Sequence, residues 1–388
     1  MLEQTHADQF ADPQAVIPSA ASPLIAYVLR GLDSCWMPEH SRWSHIYHLD
    51  GRPAPNESVP HSDVFYTLNV LLGFSRIRHL RTIHNYDLKK IFEHNVVQIP
   101  HLPSRRYAYG MALWAAAENG FDIPAETFSR IRAILDDRAG WMKFTAQDLG
   151  MILIGCVEQA KRDRPELGSI ARDLFQHLNT FLSCRSGLFY DGATGWRRRF
   201  SSFATHTYLS LACYIFGEWA NNRRALQLAK ICSAKLISLQ GAQGEWPWFF
   251  YTPAGRVVDF YEVYSVHQDG MAPAWLEHAD KHGVAGAEDA LVKGFMWIYG
   301  DNSRRQSMLW KNEGLICRSL ARKGELNSKR KRIARSLANA ITGGGQTLIP
   351  ASKLDLRLEC RSYHLGWVLW SFGQRDDLSA IQFHPSLS

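Results

Sequence analysis

Apolar residues recur with a helical period from residue 61 to the end of the chain, in segments of ordinary helix length separated by loops carrying Pro, Gly and Asn. Two kinds of segment alternate. Those at roughly 62–77, 105–119, 146–160, 203–219, 268–279, 307–321 and 362–373 are apolar nearly all round, which predicts buried inner helices. Those at roughly 86–97, 125–138, 167–183, 221–239, 285–299 and 328–341 carry Lys, Arg, Glu and Gln on one face, which predicts outer helices. An inner helix covered by an outer one, repeated, closes into a ring. The pattern therefore predicts an all-α fold, an (α/α)6 or (α/α)7 toroid of helical hairpins. Irregular spacing and long loops argue against an open solenoid, whose repeats keep a nearly fixed period. In this plan residues 1–60 form an N-terminal extension and first hairpin loop packing on the toroid, 61–376 the toroid, and 377–388 a C-terminal tail.

A weak internal repeat supports the equivalence of the inner helices. Tyr109-Gly110-Met111, Leu149-Gly150-Met151 and Asp269-Gly270-Met271 each open an apolar run, and Asn312-Glu313-Gly314 and His364-Leu365-Gly366 are looser copies. Glycine early in a helix costs roughly 0.5–1 kcal/mol relative to alanine, so its recurrence implies close approach of helix backbones or of a ligand, packing being the simpler reading. Alternating aromatic stretches around turns predict short β-hairpins on the rim where inner helices begin. One joins Trp246–Tyr251 to Arg256–Tyr261, and another joins Leu188–Tyr190 to Trp196–Phe200. Weaker candidates are Ser44–His48, and Gln346–Ile349 with Leu354–Cys360.

Composition changes this picture little. The 388 residues are 46% hydrophobic and 21% charged, as expected for a globular chain with a sizeable core. The net charge of +7 favours acidic ligands. Its basic residues are scattered apart from Arg197-Arg198-Arg199 and Lys329-Arg330-Lys331-Arg332, the second reading as a solvated helix face rather than a nucleic-acid patch. The 7 cysteines are odd in number and widely spaced without a C-x-x-C pair, which points to neither a disulfide framework nor a zinc site. The first residues hold no signal-peptide core, and no stretch is long and apolar enough to span a bilayer. Cytoplasmic residence without a cofactor or metal is the expectation, the oligomeric state staying open.

If the inner helices run parallel, their first turns converge on the ring axis and make a polar cup. The segment Glu262–Met271, directly after the aromatic hairpin, is its densest part. Asp269, Asp148, Glu313 and His267 are the candidate catalytic groups, because paired carboxylates flanking a bond, with a histidine near, suit glycosidic chemistry. Trp246, Trp248, Tyr261, Tyr264, Gln268, Arg106, His206, Asp63, Tyr363 and His364 are the candidate substrate-binding groups, since aromatic faces stack on sugars and the rest hydrogen-bond hydroxyls. Each of these acids also fits a helix cap, and each histidine a satisfied core position. Nucleotide-binding, serine-hydrolase and zinc-protease motifs are absent.

Alternating hairpins with aromatic rim loops and inner-helix acids resemble the six-hairpin glycosidases, the related sugar epimerases and the polysaccharide lyases. The resemblance is architectural, runs from about residue 60, and implies a glycan or other small-molecule substrate, anionic if the basic excess is used. A local element, Gln240-Gly-Ala-Gln-Gly244-Glu-Trp246, is similar to the Q-x3-G-x-W element of terpenoid cyclases, where it is structural. The acid motifs of those cyclases are missing. The expected function is thus a carbohydrate-active enzyme of hydrolase, lyase or epimerase type. A terpenoid-cyclase-like enzyme acting on an isoprenoid and a non-catalytic glycan- or protein-binding toroid are the alternatives.

Overall fold

A computed structural model describes residues 21–388 apart from 52, 84–85, 104, 326–328 and 344. The helices are α1 (Pro23–Cys35), α2 (Pro60–Phe74), α3 (Leu88–Val96), α4 (Arg105–Asn119), α5 (Ala125–Asp136), α6 (Ala146–Arg162) and α7 (Leu167–His177). They continue as α8 (Phe203–Ala220), α9 (Arg223–Ser238), α10 (Ala272–Lys281), α11 (Ala287–Tyr299), α12 (Lys329–Thr342), α13 (Ser362–Phe372) and α14 (Ser379–Gln382). Helices α2, α4, α6, α8, α10 and α13 each touch the next, and α13 touches α2, which closes the ring. A π-helical turn over His267–Met271 leads into α10. Helices α3, α7, α9, α11 and α1 pack on α2, α6, α8, α10 and α13, and α5 follows α4 in the remaining outer place. The fold is an α/α toroid of six hairpins.

The inner helices run parallel. One cleft is bounded by first-turn residues of α4, α6 and α8, whereas a second, on the other face, is bounded by the last turns of α4, α6, α8 and α10. Four of the recurring glycines, Gly110, Gly150, Gly270 and Gly366, sit where an inner helix crosses its neighbour, whereas Gly314 lies in a turn packed against α1. A Cβ on Gly110 would stand 2.5 Å from the Ile152 nitrogen, one on Gly150 2.8 Å from the Tyr208 carbonyl, and one on Gly366 2.7 Å from the Asn69 side chain. Gly150→Ala should therefore cost about 1–3 kcal/mol, because the α6–α8 backbones must separate to admit a methyl group. Urea unfolding checks this; a loss under half a kcal/mol would show that the crossing has slack.

Two expected elements are corrected. Residues 307–321 are not an inner helix. They form short strands β9 (Leu309–Trp310), β10 (Leu315–Ile316) and the start of β11 (Ser319–Arg322), because the turn at Lys311–Gly314 splits the apolar run into pieces too short for a buried helix. Residues 328–341 do hold a helix, α12, but it packs on the rim strand Arg256–Asp259 instead of covering an inner helix. The sixth outer helix is α1, drawn from the segment expected as an extension.

The remaining strands are β1 (Trp36–Met37), β2 (Arg42–Trp43), β3 (Tyr47–His48), β4 (Ala54–Pro55), β5 (Phe200–Ser202), β6 (Phe249–Tyr251), β7 (Arg256–Asp259), β8 (Val263–Tyr264), β12 (Leu354–Arg357) and β13 (Glu359–Cys360). Strands β6 and β7 form the expected aromatic hairpin, and β5 pairs with β6, so the 187–200 and 246–261 regions lie side by side. Phe200 pairs with Tyr251 rather than within its own segment, where Phe189 bridges Ser183 instead. Likewise β12 pairs with β11 across four residue positions, not with 346–349.

Candidate active site

The cleft on the face where α4, α6 and α8 begin has a volume of about 880 Å³ and is open to solvent. Its geometry starts from the N-terminus of α6. Thr145 caps that helix in a capping box: its hydroxyl accepts from the Asp148 amide at 3.1 Å, and Asp148 Oδ2 accepts from the Thr145 amide and hydroxyl, both at 2.9 Å. A loop then crosses this N-terminus, because the Ala146 amide donates to the Asp191 carbonyl at 2.9 Å and Thr145 bridges Gly192. The strap brings Asp191 into the same cleft as Asp148. Asp191 Oδ1 accepts from the Thr205 hydroxyl of α8 at 2.7 Å, and Oδ2 pairs with Arg197. Burial raises the Asp191 carboxyl above the ordinary aspartate value and the Asp148 charge adds to the rise, while Thr205 and Arg197 oppose it. Asp148 thus does double duty, as a helix cap and as the second carboxylate of the cleft.

Arg106, Tyr107 and Tyr109 from α4, Arg130 from α5, Arg197 and Tyr208 complete much of the lining. Arg106 lies over the Phe144 ring at 5.4 Å and reaches the Lys143 carbonyl at 3.3 Å. Around the axis, tyrosines from successive inner helices gather. Tyr66 stacks obliquely on Tyr363 at 4.6 Å, and the phenol of Tyr208 is pushed up by burial, with Tyr363, Tyr66 and Tyr107 all contributing. Tyr264 joins them, beneath the Arg318 guanidinium at 5.4 Å and with its hydroxyl on Glu262 at 3.3 Å.

Of the residues expected from sequence, Asp148 and Arg106 line this cleft. Asp269 is fully buried and bound by His364 Nε2 at 2.6 and 2.8 Å, and burial raises its carboxyl against the pull of that histidine. It also stands near enough to Tyr299 of outer helix α11 to help push that phenol up. His267 is wedged between Phe203 and Tyr264 at ring distances of 4.8 and 5.2 Å, its Nδ1 without a hydrogen-bond partner among the described residues. Burial, His364 and Arg318 lower its pKa to about 3. Glu313 belongs to the β9–β10 turn, where its carbonyl accepts from Ser34 of α1, and not to an inner helix.

Several expected binding groups prove to be braces. Asp63 accepts from the His45 amide at 2.9 Å, His45 Nδ1 at 2.8 Å and the Val59 amide at 2.5 Å, tying the incoming loop to α2. His206 Nδ1 accepts from the Phe189 amide at 3.3 Å and its Nε2 meets Ser201 at 3.0 Å, with burial lowering its pKa to about 3. Tyr261 accepts from the Ile349 amide at 3.2 Å. In the Q-x3-G-x-W element, Gln240 donates to the Gly244 and Ala290 carbonyls at 3.1 and 2.9 Å, and the Gln268 amide, in the orientation that satisfies both its nitrogen and its oxygen, donates to Gly244 at 2.8 Å. Trp246 packs fully buried between Phe203 and Trp275. This element therefore staples α9 to α11 and to the turn before α10.

The aromatic hairpin closes over the core rather than presenting one sugar-stacking face. Trp246 and Phe250 are buried, whereas Trp248 stacks on Phe249, which stacks on Phe200 and so on Trp196. Trp196 is the exposed end of that ladder, at 58%, beside Arg197 of the cleft. In the sequence Arg197 stood out only as part of a basic run, and Asp191, Thr205 and Trp196 were not among the expected site residues. The only local signal was Asp191-Gly192, which reads as a turn.

Neither a family model nor a curated protein matches the chain. Solved structures do. An unsaturated glucuronyl hydrolase specific for heparin superposes with a TM-score of 0.58 at 10% identity, over 91% of this chain and 94% of that one. Cellobiose 2-epimerase from Bacillus thermoamylovorans B4167 gives 0.61 at 10% identity, over 91% and 97%. An inactive variant of the α-1,6-mannanase of Salegentibacter sp. HEL1_6, in complex with α-1,6-mannotetrose, gives 0.53 at 12% identity, over 92% and 99%. These likenesses extend across nearly the whole of each chain, and they establish that this protein is built on the six-hairpin α/α-toroid plan of those enzymes.

Proposed function

We propose that the chain is a carbohydrate-active enzyme of the glycoside-hydrolase type, acting on an anionic oligo- or polysaccharide in the cleft at the start of α4, α6 and α8. The observation that carries the reading is the pair Asp148 and Asp191 in one open polar cleft with Arg106, Arg130 and Arg197. Paired carboxylates, one with its pKa raised, are what glycosidic bond cleavage uses: the protonated acid gives its proton to the leaving oxygen while the ionised partner serves the other face of the sugar. Asp191 takes the acid role, because its carboxyl is the one held up by burial. Asp148 takes the partner role, its protein bonds all made through Oδ2.

The three arginines supply positive charge where a carboxylate- or sulfate-bearing sugar would lie, and Tyr107 and the exposed face of Trp196 supply stacking surface. Similarity to enzymes whose names specify glucuronyl, mannan and cellobiose substrates supports a sugar ligand. The cyclase alternative needs a sealed apolar cavity, and an open cleft bordered by arginines and carboxylates does not supply one.

Calorimetric titration and a reducing-end assay with neutral, uronic and sulfated oligosaccharides test the reading. Binding and turnover of an acidic member are expected, with Arg106→Ala and Trp196→Ala each weakening affinity about tenfold, near the 1–3 kcal/mol of a charge-assisted hydrogen bond or a stacking contact. Glycan binding without turnover would leave a binding toroid. Turnover of a prenyl diphosphate with no glycan bound would overturn the sugar reading.

A further inference from the structure

Helix α12 lies outside the six hairpins that make the ring. Its sequence, KRKRIARSLANAIT, holds five basic residues and no acid. One face is anchored on the rim: Ser336 is buried, Asn339 donates to Asp259 Oδ2 at 3.1 Å, and Arg256 of β7 donates to the Ala340 carbonyl at 2.7 Å. The opposite face is apolar and exposed. Ile333, Leu337 and Ile341, spaced four apart and so on one side of the helix, are 46%, 39% and 88% exposed. They account for three of the large hydrophobic residues that the described part of the chain leaves in solvent, and the stripe they form is about 12 Å long at 1.5 Å per residue.

We propose that α12 is a peripheral membrane-docking element, which lays Ile333, Leu337 and Ile341 into the interface of an anionic phospholipid bilayer while Arg330 meets the headgroups. A basic helix with an aliphatic stripe and a polar anchored side is what interfacial binding requires, apolar burial and charge attraction acting together. Charge complementarity selects this occupant over a second copy of the chain, since two such helices would bring like charges face to face. A glycan fits less well, because α12 carries no aromatic ring for a sugar to stack on. Docking is peripheral: among the described residues no helix is long and apolar enough to cross a membrane. Because α12 packs on β7, whose sheet also carries Ser202 of the cleft, docking holds the cleft face close to the lipid surface.

Co-sedimentation of the full chain with vesicles tests this, phosphatidylcholine alone against phosphatidylcholine containing phosphatidylglycerol, at about 0.1 M salt, where surface charges still act over about 10 Å. The expected result is binding to the anionic vesicles at least about tenfold stronger than to the neutral ones, as two or more basic side chains near the surface would give. Leu337→Glu with Ile341→Glu should abolish it. Arg330→Gln, which alters one exposed side chain, should weaken it about fivefold and reduce its salt dependence without moving Tm. Equal binding to both vesicle types, no binding to either, or full binding by the Gln variant would overturn the proposal. So would a dimer, or capture of an acidic glycan, that the Glu variant abolishes while vesicle binding is absent. None of these readouts uses turnover, so they stand or fall apart from the reading of the cleft.

Discussion

Asp191→Asn is expected to lower kcat on the glycan substrate by about 10²–10⁴-fold, the usual contribution of a general acid. The substitution keeps an oxygen for the Thr205 hydroxyl and loses only the pairing with Arg197, itself 59% exposed, so Tm should move little. The pH profile separates a catalytic role from a structural one. A proton donor must hold its proton, so activity should fall as pH rises through the Asp191 pKa, at a pH above the ordinary aspartate range because burial and the Asp148 charge raise that value. Asp148→Asn should lower kcat as well, and should shift this limb to lower pH by removing the neighbouring charge. Retention of more than a tenth of kcat by Asp191→Asn, with the limb unmoved in Asp148→Asn, would dismiss the pair as the machinery.

The ring was legible in the chain because burial on all sides leaves a distinct mark. Helices such as α6 and α8 have charged side chains only near their ends, while α7 and α9 alternate by face, and that contrast gives the order of layers without any knowledge of contacts. The glycines at 110, 150, 270 and 366 were readable for the same reason, since nothing local calls for them and close helix crossing does. Helix α1 was less legible. Its apolar face is ordinary, and only the closure of the ring, with α1 on α13, shows that it completes the sixth hairpin.

Of the two carboxylates that line the candidate cleft, one was legible in the sequence. Asp148 stands three residues into α6 after Thr145, a spacing that reads as a capping box, and its first-turn place put it on the rim. Asp191 gave no such sign, because it reaches the cleft through a backbone bond to Ala146 and a side-chain bond to Thr205, both made between segments distant in sequence. Asp269 and His267 drew attention through density of polar residues in an aromatic stretch. That density has a structural cause: the turn before α10 must satisfy buried polar groups internally, and Asp269 with His364 does so.

Those buried histidines set the second large effect, loss of stability in mild acid. His206 and His267 are held neutral in the folded chain with pKa values lowered to about 3, by burial foremost, whereas an unfolded histidine titrates near 6.5. Above pH 6.5 both states are neutral and the contribution is fully present. As pH falls from 6.5 toward 3, the unfolded chain takes up protons that the folded chain refuses, so stability must fall. Each histidine contributes a slope of up to about 1.4 kcal/mol per pH unit, and the two together up to about 2.7. Asp191 and Asp269 act the other way, since a raised carboxyl takes its proton first in the folded state, and this offsets part of the loss at the acid end. Urea unfolding at intervals from pH 7 to pH 4.5 should show the midpoint dropping steadily. His206→Gln, whatever it costs at pH 7, should reduce the slope by up to about 1.4 kcal/mol per unit, because one of the groups that refuse a proton is gone. A flat stability profile between pH 6.5 and 4.5, or a His206→Gln slope equal to the wild type, would mean that both imidazoles accept protons within the fold and that the interior around them admits charge.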